Sequence, residues 1–283
     1  MVINPETKLY ALMGDPVAHS LSPVIHNTFY ETEGVNAIYS VFRVKRGDTE
    51  NALKGGVSLG IEGFNVTVPH KEAVLPYIAA VDEAAKAIGA VNTLKLTEEG
   101  YKGYNTDFLG IKRQIEELKI DLKGKKAIMI GAGGAANAVL YALYDMGSEG
   151  VYILNRSPEK ARDKFGDDSR NIILPLNEYE KIPGKGYFCV QCTSVGLFPD
   201  VDSAPIEDPA FYEKIDDAVD IVYNPADTAF MKKVRAAGGR AENGLDMLLY
   251  QAAEGFKIFT GKPVSDKGIE EARHKLREAL WEG

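Results

Sequence analysis

The segment Ala127-Ile128-Met129-Ile130-Gly131-Ala132-Gly133-Gly134-Ala135-Ala136 is a strand, a tight glycine turn and a helix start, in the pattern G-x-G-x-x-A. The first glycine permits the turn, the second lets the backbone approach a pyrophosphate, and the small third residue lets helix and strand pack closely. Free N–H groups at the helix N-terminus would face the phosphates. Gly131, Ala132, Gly133, Gly134 and Ala135 are therefore candidate dinucleotide contacts; the plainer reading is a glycine-rich turn with no ligand. The next strand ends in Asn155-Arg156-Ser157, with Lys160 beyond. An acid there would hold the ribose hydroxyls of NAD. An arginine with a hydroxyl neighbour suits a 2′-phosphate instead, so the expected cofactor is NADP. Arg156 could also be a solvated residue opening a helix.

Three polar clusters precede this turn. Asn65-Val66-Thr67-Val68-Pro69-His70-Lys71 carries Asn and Thr on alternate positions of a strand, facing one side, with a lysine after the proline. Gly103-Tyr104-Asn105-Thr106-Asp107, preceded by Ala90-Val91-Asn92-Thr93, adds a carboxylate. A lysine and an aspartate beside a nicotinamide are what carbonyl reduction needs: the carboxylate orients the ammonium, and the ammonium protonates the developing alkoxide. Taken singly, Lys71 could be a solvated charge and Asp107 the cap of the helix that starts at Phe108. His19-Ser20-Leu21-Ser22-Pro23 sets two hydroxyls at a helix start, a suitable place for an anion. Ser22 can serve as an N-cap at the same time, with Pro23 at the first helical position. Cys189-Val190-Gln191-Cys192 is spaced so that its cysteines point to opposite faces of a strand, which favours a buried apolar role over redox chemistry. His19, His26 and His70 complete no familiar metal spacing, so no metal is expected.

The elements that must hold these residues alternate. Strands are predicted at Lys8–Met13, Ala37–Arg43, Gly63–Val68, Asn92–Leu96 and Tyr101–Tyr104. Helices are predicted from Ser22 to Gly34, from Asp48 to about Leu59, and around Glu72–Ile78 and Asp82–Ile88. From Phe108 onward, helical stretches separate strand-like runs at Ala127–Ile130, Val151–Leu154, Tyr187–Val190 and Val219–Val222. That rhythm means βαβ units and a parallel sheet. Leu245, Leu248, Leu249, Ala252, Phe256 and Phe259 form one helical stripe, and a charged helix begins near Lys267.

The 283 residues suffice for about two domains. A 45% apolar and 26% charged composition excludes a disordered chain or a coiled coil. A net charge of −8 argues against a nucleic-acid partner. No apolar run approaches the ~20 residues of a membrane span. Met1–Glu6 lacks a signal-peptide layout, and two cysteines exclude a disulfide framework. A cytoplasmic protein is expected, with no membrane partner.

Together these blocks resemble the shikimate dehydrogenase family. The match runs through Gly14–Pro23 with His26-Asn27, Asn65–Lys71, Gly89–Thr93, Gly103–Asp107, Gly131–Ala135, Asn155–Ser157 and Gly244–Leu248, in family order over nearly the whole chain. The resemblance implies an α/β fold with an N-terminal substrate domain (1–106 and 245–283) and a Rossmann NADP-binding domain (107–244). C-terminal helices would pack back on the first domain, and the site would lie in the cleft. It implies NADPH-dependent, reversible reduction of 3-dehydroshikimate to shikimate, a step of aromatic amino acid biosynthesis, by a monomer or homodimer. Ser20 and Ser22 would hold the substrate carboxylate. Thr67, Asn92 and Gln251 would bind its ring hydroxyls, with Tyr223 on the substrate side. Lys71 and Asp107 would be the catalytic pair, and Thr193 and Gly244 would join the cofactor contacts. One departure is visible. The family usually has Asn and a small residue before Thr-Ser, where this chain has Gln191-Cys192; the longer Gln191 bears on how that loop meets the nicotinamide half. A quinate or dual quinate/shikimate dehydrogenase using NAD or NADP is the close alternative, because a pocket rejects an added hydroxyl only weakly. Arg156-Ser157 favours the NADP-linked enzyme. A non-catalytic NADP sensor would be expected to lose Lys71 or Asp107, and both are present.

Overall fold

The computed structural model describes residues 3–282. Met1 and Val2, part of the segment read for a signal peptide, and Gly283, within the expected substrate-domain bounds, lie outside the described residues. The chain forms two compact units, residues 3–110 with 249–282, and residues 111–248.

The first unit contains β1 (Lys8–Gly14), α1 (Ser22–Thr32), β2 (Ala37–Arg43), α2 (Thr49–Ser58), β3 (Gly63–Val66), β4 (Ala80–Val81), α3 (Glu83–Ile88), β5 (Thr93–Thr97), β6 (Gly100–Tyr104) and the start of α4 (Asp107–Glu117). Its sheet runs β2-β1-β3-β5-β6-β4. β1 lies parallel to β2 and β3, and β5 runs antiparallel to both β3 and β6. β1 is buried on both faces from Tyr10 to Gly14, which is why it reads as an unbroken apolar run rather than an alternation.

The second unit contains β7 (Lys126–Ile130), α5 (Ala136–Asp145), β8 (Gly150–Asn155), α6 (Pro158–Phe165), β9 (Asn171–Pro175), β10 (Tyr187–Gln191), α7 (Pro209–Tyr212), β11 (Ile215–Asp220), α8 (Ala229–Ala236) and β12 (Arg240–Asn243). All its strands are parallel, in the order β12-β11-β10-β7-β8-β9. The order reverses between β7 and β10, the switch point where doubly wound sheets bind ligands beyond the strands' carboxyl ends. The glycine turn follows β7 and the Gln191–Val195 loop follows β10, so both lie there.

α9 (Leu245–Thr260) and α10 (Asp266–Arg277) close the chain. From Leu249 onward they belong to the first unit. There the Phe259 ring stacks on Tyr10 at 4.7 Å, and Phe256 meets the edge of Phe29 at 5.8 Å.

Several sequence expectations shift. The helix expected at Glu72–Ile78 is a set of turns ending in the 3-10 helix Leu75–Tyr77, because Pro76 cannot continue an α-helical ladder. β3 stops at Val66, two residues before the expected Val68. The strand expected at Val219–Val222 is Ile215–Asp220, its start masked by Asp216 and Asp217. The edge strands β4, β9 and β12 gave no usable period; β12 reads Arg-Ala-Glu-Asn.

Candidate active site

In the first unit, Lys71 Nζ donates to Asp107 Oδ2 at 2.5 Å. The two side chains are 23% and 12% exposed, so the pair is shielded yet reachable. Asp107 Oδ1 accepts from Asn92 Nδ2 at 2.8 Å. The same amide nitrogen lies 2.9 Å from Thr106 Oγ1 and 3.4 Å from Gln251 Oε1. Asn92 Oδ1 accepts the Thr106 N–H at 2.7 Å. Asn92 thus ties Lys71, Asp107 and Gln251 into one network. Asp107 is not the cap of α4: it is the first helical residue, and its own N–H donates to Asn105 Oδ1 at 3.0 Å. A carboxylate in that first turn is favoured by the helix dipole.

The lysine is held by its neighbours. The buried His70 ring bridges Thr49 Oγ1 at 2.9 Å and the Val44 carbonyl at 2.7 Å. The His70 N–H closes a turn on the Thr67 carbonyl, and the Lys71 carbonyl accepts from Val91 N–H at 2.8 Å. Thr67 lies one residue beyond β3, yet its N–H still donates to the Met13 carbonyl of β1 at 3.0 Å. Thr67 is half-buried, whereas Asn65 is buried and belongs to the frame. Asn65 Nδ2 donates to Thr93 Oγ1 at 3.0 Å, and its Oδ1 accepts from Tyr39 Oη at 2.7 Å. Tyr39 stacks in turn on His26 at 4.3 Å. Burial pushes the His26 pKa down to about 3.

Ser20 and Ser22 sit together at the start of α1, their hydroxyls 3.2 Å apart. Ser22 is not the N-cap. Leu21 occupies that position without a side-chain bond, and Pro23 is the second helical residue. The Ser22 N–H is satisfied by Ser20 Oγ at 3.2 Å. One residue of register moved the capping role from Ser22 to Ser20.

In the second unit, Gly131 takes φ +101°, a left-handed conformation, and a Cβ there would stand 2.6 Å from Thr193 Cγ2. Turn geometry and close approach both require glycine. Gly133 and Gly134 are exposed, with open space where a Cβ on Gly134 would be. No side chain caps α5, so the turn can receive a pyrophosphate on backbone N–H groups. Arg156 and Lys160 are exposed and have no ion-pair partner among the described residues. Asn155 Nδ2 closes the turn on the Ser157 carbonyl at 3.0 Å. These features fit NADP. Gly244 is buried, and a Cβ on it would lie 2.4 Å from the Ile221 carbonyl oxygen. Thr193 and Tyr223 are half-buried on loops after β10 and β11, and burial raises the Tyr223 pKa.

Sequence reasoning missed Thr106 as a member of the Asn92 network, although it stood inside a recognised block. It also missed Lys164, whose Nζ donates to the carbonyls of Ala132 and Gly133 at 3.3 and 3.2 Å. Cys189 and Cys192 are both buried free thiols with raised pKa values. Among the described residues, no three His, Cys, Asp or Glu side chains are placed to hold a metal, and no helix is long and apolar enough to cross a membrane.

Family profiles for the shikimate dehydrogenase substrate binding domain, shikimate / quinate 5-dehydrogenase and the shikimate 5'-dehydrogenase C-terminal domain match residues 12–94, 112–194 and 244–272. Shikimate dehydrogenase (NADP(+)) of Moorella thermoacetica is 41% identical, over 95% of each chain. The shikimate dehydrogenase of Thermus thermophilus, solved with NADP(H) and shikimate, superposes with a TM-score of 0.84 at 35% identity, covering 97% of this chain and 100% of that one. A chorismate mutase/shikimate 5-dehydrogenase fusion protein of Clostridium acetobutylicum gives 0.90 at 33% identity, over 97% and 98%. The lysine–aspartate pair, the glycine turn at the switch point of a parallel sheet, and this end-to-end likeness agree: the chain belongs to the shikimate dehydrogenase family.

Proposed function

We propose that this protein catalyses the NADPH-dependent, reversible reduction of 3-dehydroshikimate to shikimate. The observation that carries the reading is the Lys71–Asp107 pair, held at 2.5 Å and braced by Asn92. NADPH bound to the second unit supplies the hydride. Lys71 supplies the proton to the carbonyl oxygen as it becomes a hydroxyl; in the reverse direction its neutral amine takes that proton back. Asp107 fixes the ammonium in place, and Asn92 fixes Asp107. Ser20 and Ser22, at the start of α1, bind the substrate carboxylate. Thr67, Asn92 and Gln251 bind the ring hydroxyls, and Tyr223 is a further substrate-binding residue.

On the cofactor side, the Gly131–Ala135 turn receives the pyrophosphate. Asn155 shapes the turn after β8, while Arg156, Ser157 and Lys160 hold the 2′-phosphate. Thr193 and Gly244 contribute from neighbouring loops. The two compact units support a division of labour, with residues 1–106 and 245–283 serving the substrate and 107–244 serving NADP. The chain would act in the cytoplasm, as a monomer or a homodimer. A steady-state assay pairing shikimate and quinate with NADP and NAD tests the reading. Turnover highest with shikimate and NADP is expected; turnover of quinate alone would overturn it.

A further inference from the structure

Asp220, the last residue of β11, is fully buried and has no ion-pair partner among the described residues. Burial pushes its pKa up to about 7, and the titratable groups around it are Cys189, Cys192 and Tyr212, none of them cationic. A lone buried acid persists only where hydrogen bonds hold it. Here three donors converge: Gln191 Nε2 at 3.2 Å, the Val222 N–H at 3.0 Å and Thr228 Oγ1 at 2.6 Å.

Each donor leads to a loop. Gln191 Oε1 accepts the Thr193 N–H, and Gln191 Nε2 also reaches the Val195 carbonyl at 3.1 Å. This side chain therefore spans the loop that follows β10. Val222 and Thr228 bracket the segment that carries Tyr223, and Thr228 Oγ1 in turn caps α8 through the Met231 N–H at 3.2 Å.

We infer that Asp220 and Gln191 are positioning residues, forming one buried brace that sets the Thr193 loop and the Tyr223 segment together. The inference rests on the reading of Thr193 as a cofactor residue and Tyr223 as a substrate residue. It also assigns a purpose to the longer side chain at 191: the amide reaches the carboxylate and still holds the loop. Asp220 touches neither ligand and acts through its neighbours.

Two variants separate the arms. Gln191→Leu removes the cofactor-side arm and leaves Asp220 its bonds to Val222 and Thr228. Asp220→Leu removes the hub. In the full chain without ligand, Gln191→Leu should speed amide exchange at Thr193 at least tenfold and leave Val222 unchanged; Asp220→Leu should speed both. Calorimetry should show NADP bound about tenfold more weakly by Gln191→Leu, with the KM for shikimate within twofold of the parent. Asp220→Leu should raise the KM for shikimate and the Kd for NADP together, each at least fivefold. If Asp220→Leu does not fold, Gln191→Leu carries the test alone. A lower melting temperature with Kd, KM and Thr193 exchange unchanged would overturn the brace, since a merely structural role moves only the first. Exchange needs no ligand and calorimetry needs no turnover. A parent protein that binds NADP but does not oxidise shikimate would therefore refute the proposed function while the brace is judged separately.

Discussion

Replacing Ser20 and Ser22 one at a time by alanine separates carboxylate binding from helix capping. Ser20 Oγ accepts the Ser22 N–H at 3.2 Å, whereas no bond from the Ser22 side chain caps α1. Ser20→Ala therefore removes a capping acceptor, at a cost of about 1 kcal/mol. In a unit of this size that lowers the melting temperature by roughly 2–4 °C. Ser22→Ala leaves the helix start intact and substitutes a better helix former, so its stability should stay within about 0.5 kcal/mol of the parent. Binding should behave differently. In the proposed site each hydroxyl gives one hydrogen bond to the charged carboxylate, worth about 1.5–3 kcal/mol. Either variant should raise the KM for shikimate by roughly tenfold to a hundredfold, leaving NADP affinity unchanged. Thermal melts and steady-state kinetics on both variants read the two effects independently. An earlier melt for Ser22→Ala than for Ser20→Ala would refute the capping argument. A normal KM in both would place the carboxylate elsewhere.

Arg156→Ala should weaken NADP by about 2 kcal/mol, or about thirtyfold, and leave NAD almost unchanged; equal loss for both cofactors, measured by calorimetry, would make the residue structural. His26 carries an acid limb of stability. Its folded pKa of about 3 lies below the unfolded value near 6.5, so the stability it contributes is present above pH ~6.5 and is lost as pH falls toward 3. The full loss is on the order of 5 kcal/mol, and urea melts across that range should show it flattened in His26→Phe.

Much of this arrangement was legible in the sequence for physical reasons. The glycine turn announces itself because φ +101° at Gly131 leaves no other residue comfortable there. β1, β7 and β8 were legible because strands covered on both faces read as continuous apolar runs. Helix α9 was legible from its stripe. Edge strands were not: β12 is two charged residues, an alanine and an asparagine, and only pairing with β11 makes it a strand. The capping of α1 escaped because Ser20 and Ser22 are two residues apart, and register at a helix start is decided by local hydrogen bonds, not by composition. Asp220, Gln191 and Thr228 escaped for a related reason. They are 8 to 37 positions apart in the chain, and only the adjacency of β10 and β11 brings them together.

In the proposed reaction Lys71 delivers the proton and does little else. The direct measurement is the steady-state kinetics of Lys71→Met with shikimate and NADP. The variant keeps most of the side-chain stem and leaves Asp107 bonded to Asn92 at the start of α4. A kcat lower by about two to four powers of ten, the range of a general acid–base group, is expected, with KM within about threefold of the parent. A near-normal kcat would contradict it and remove Lys71 from the chemistry.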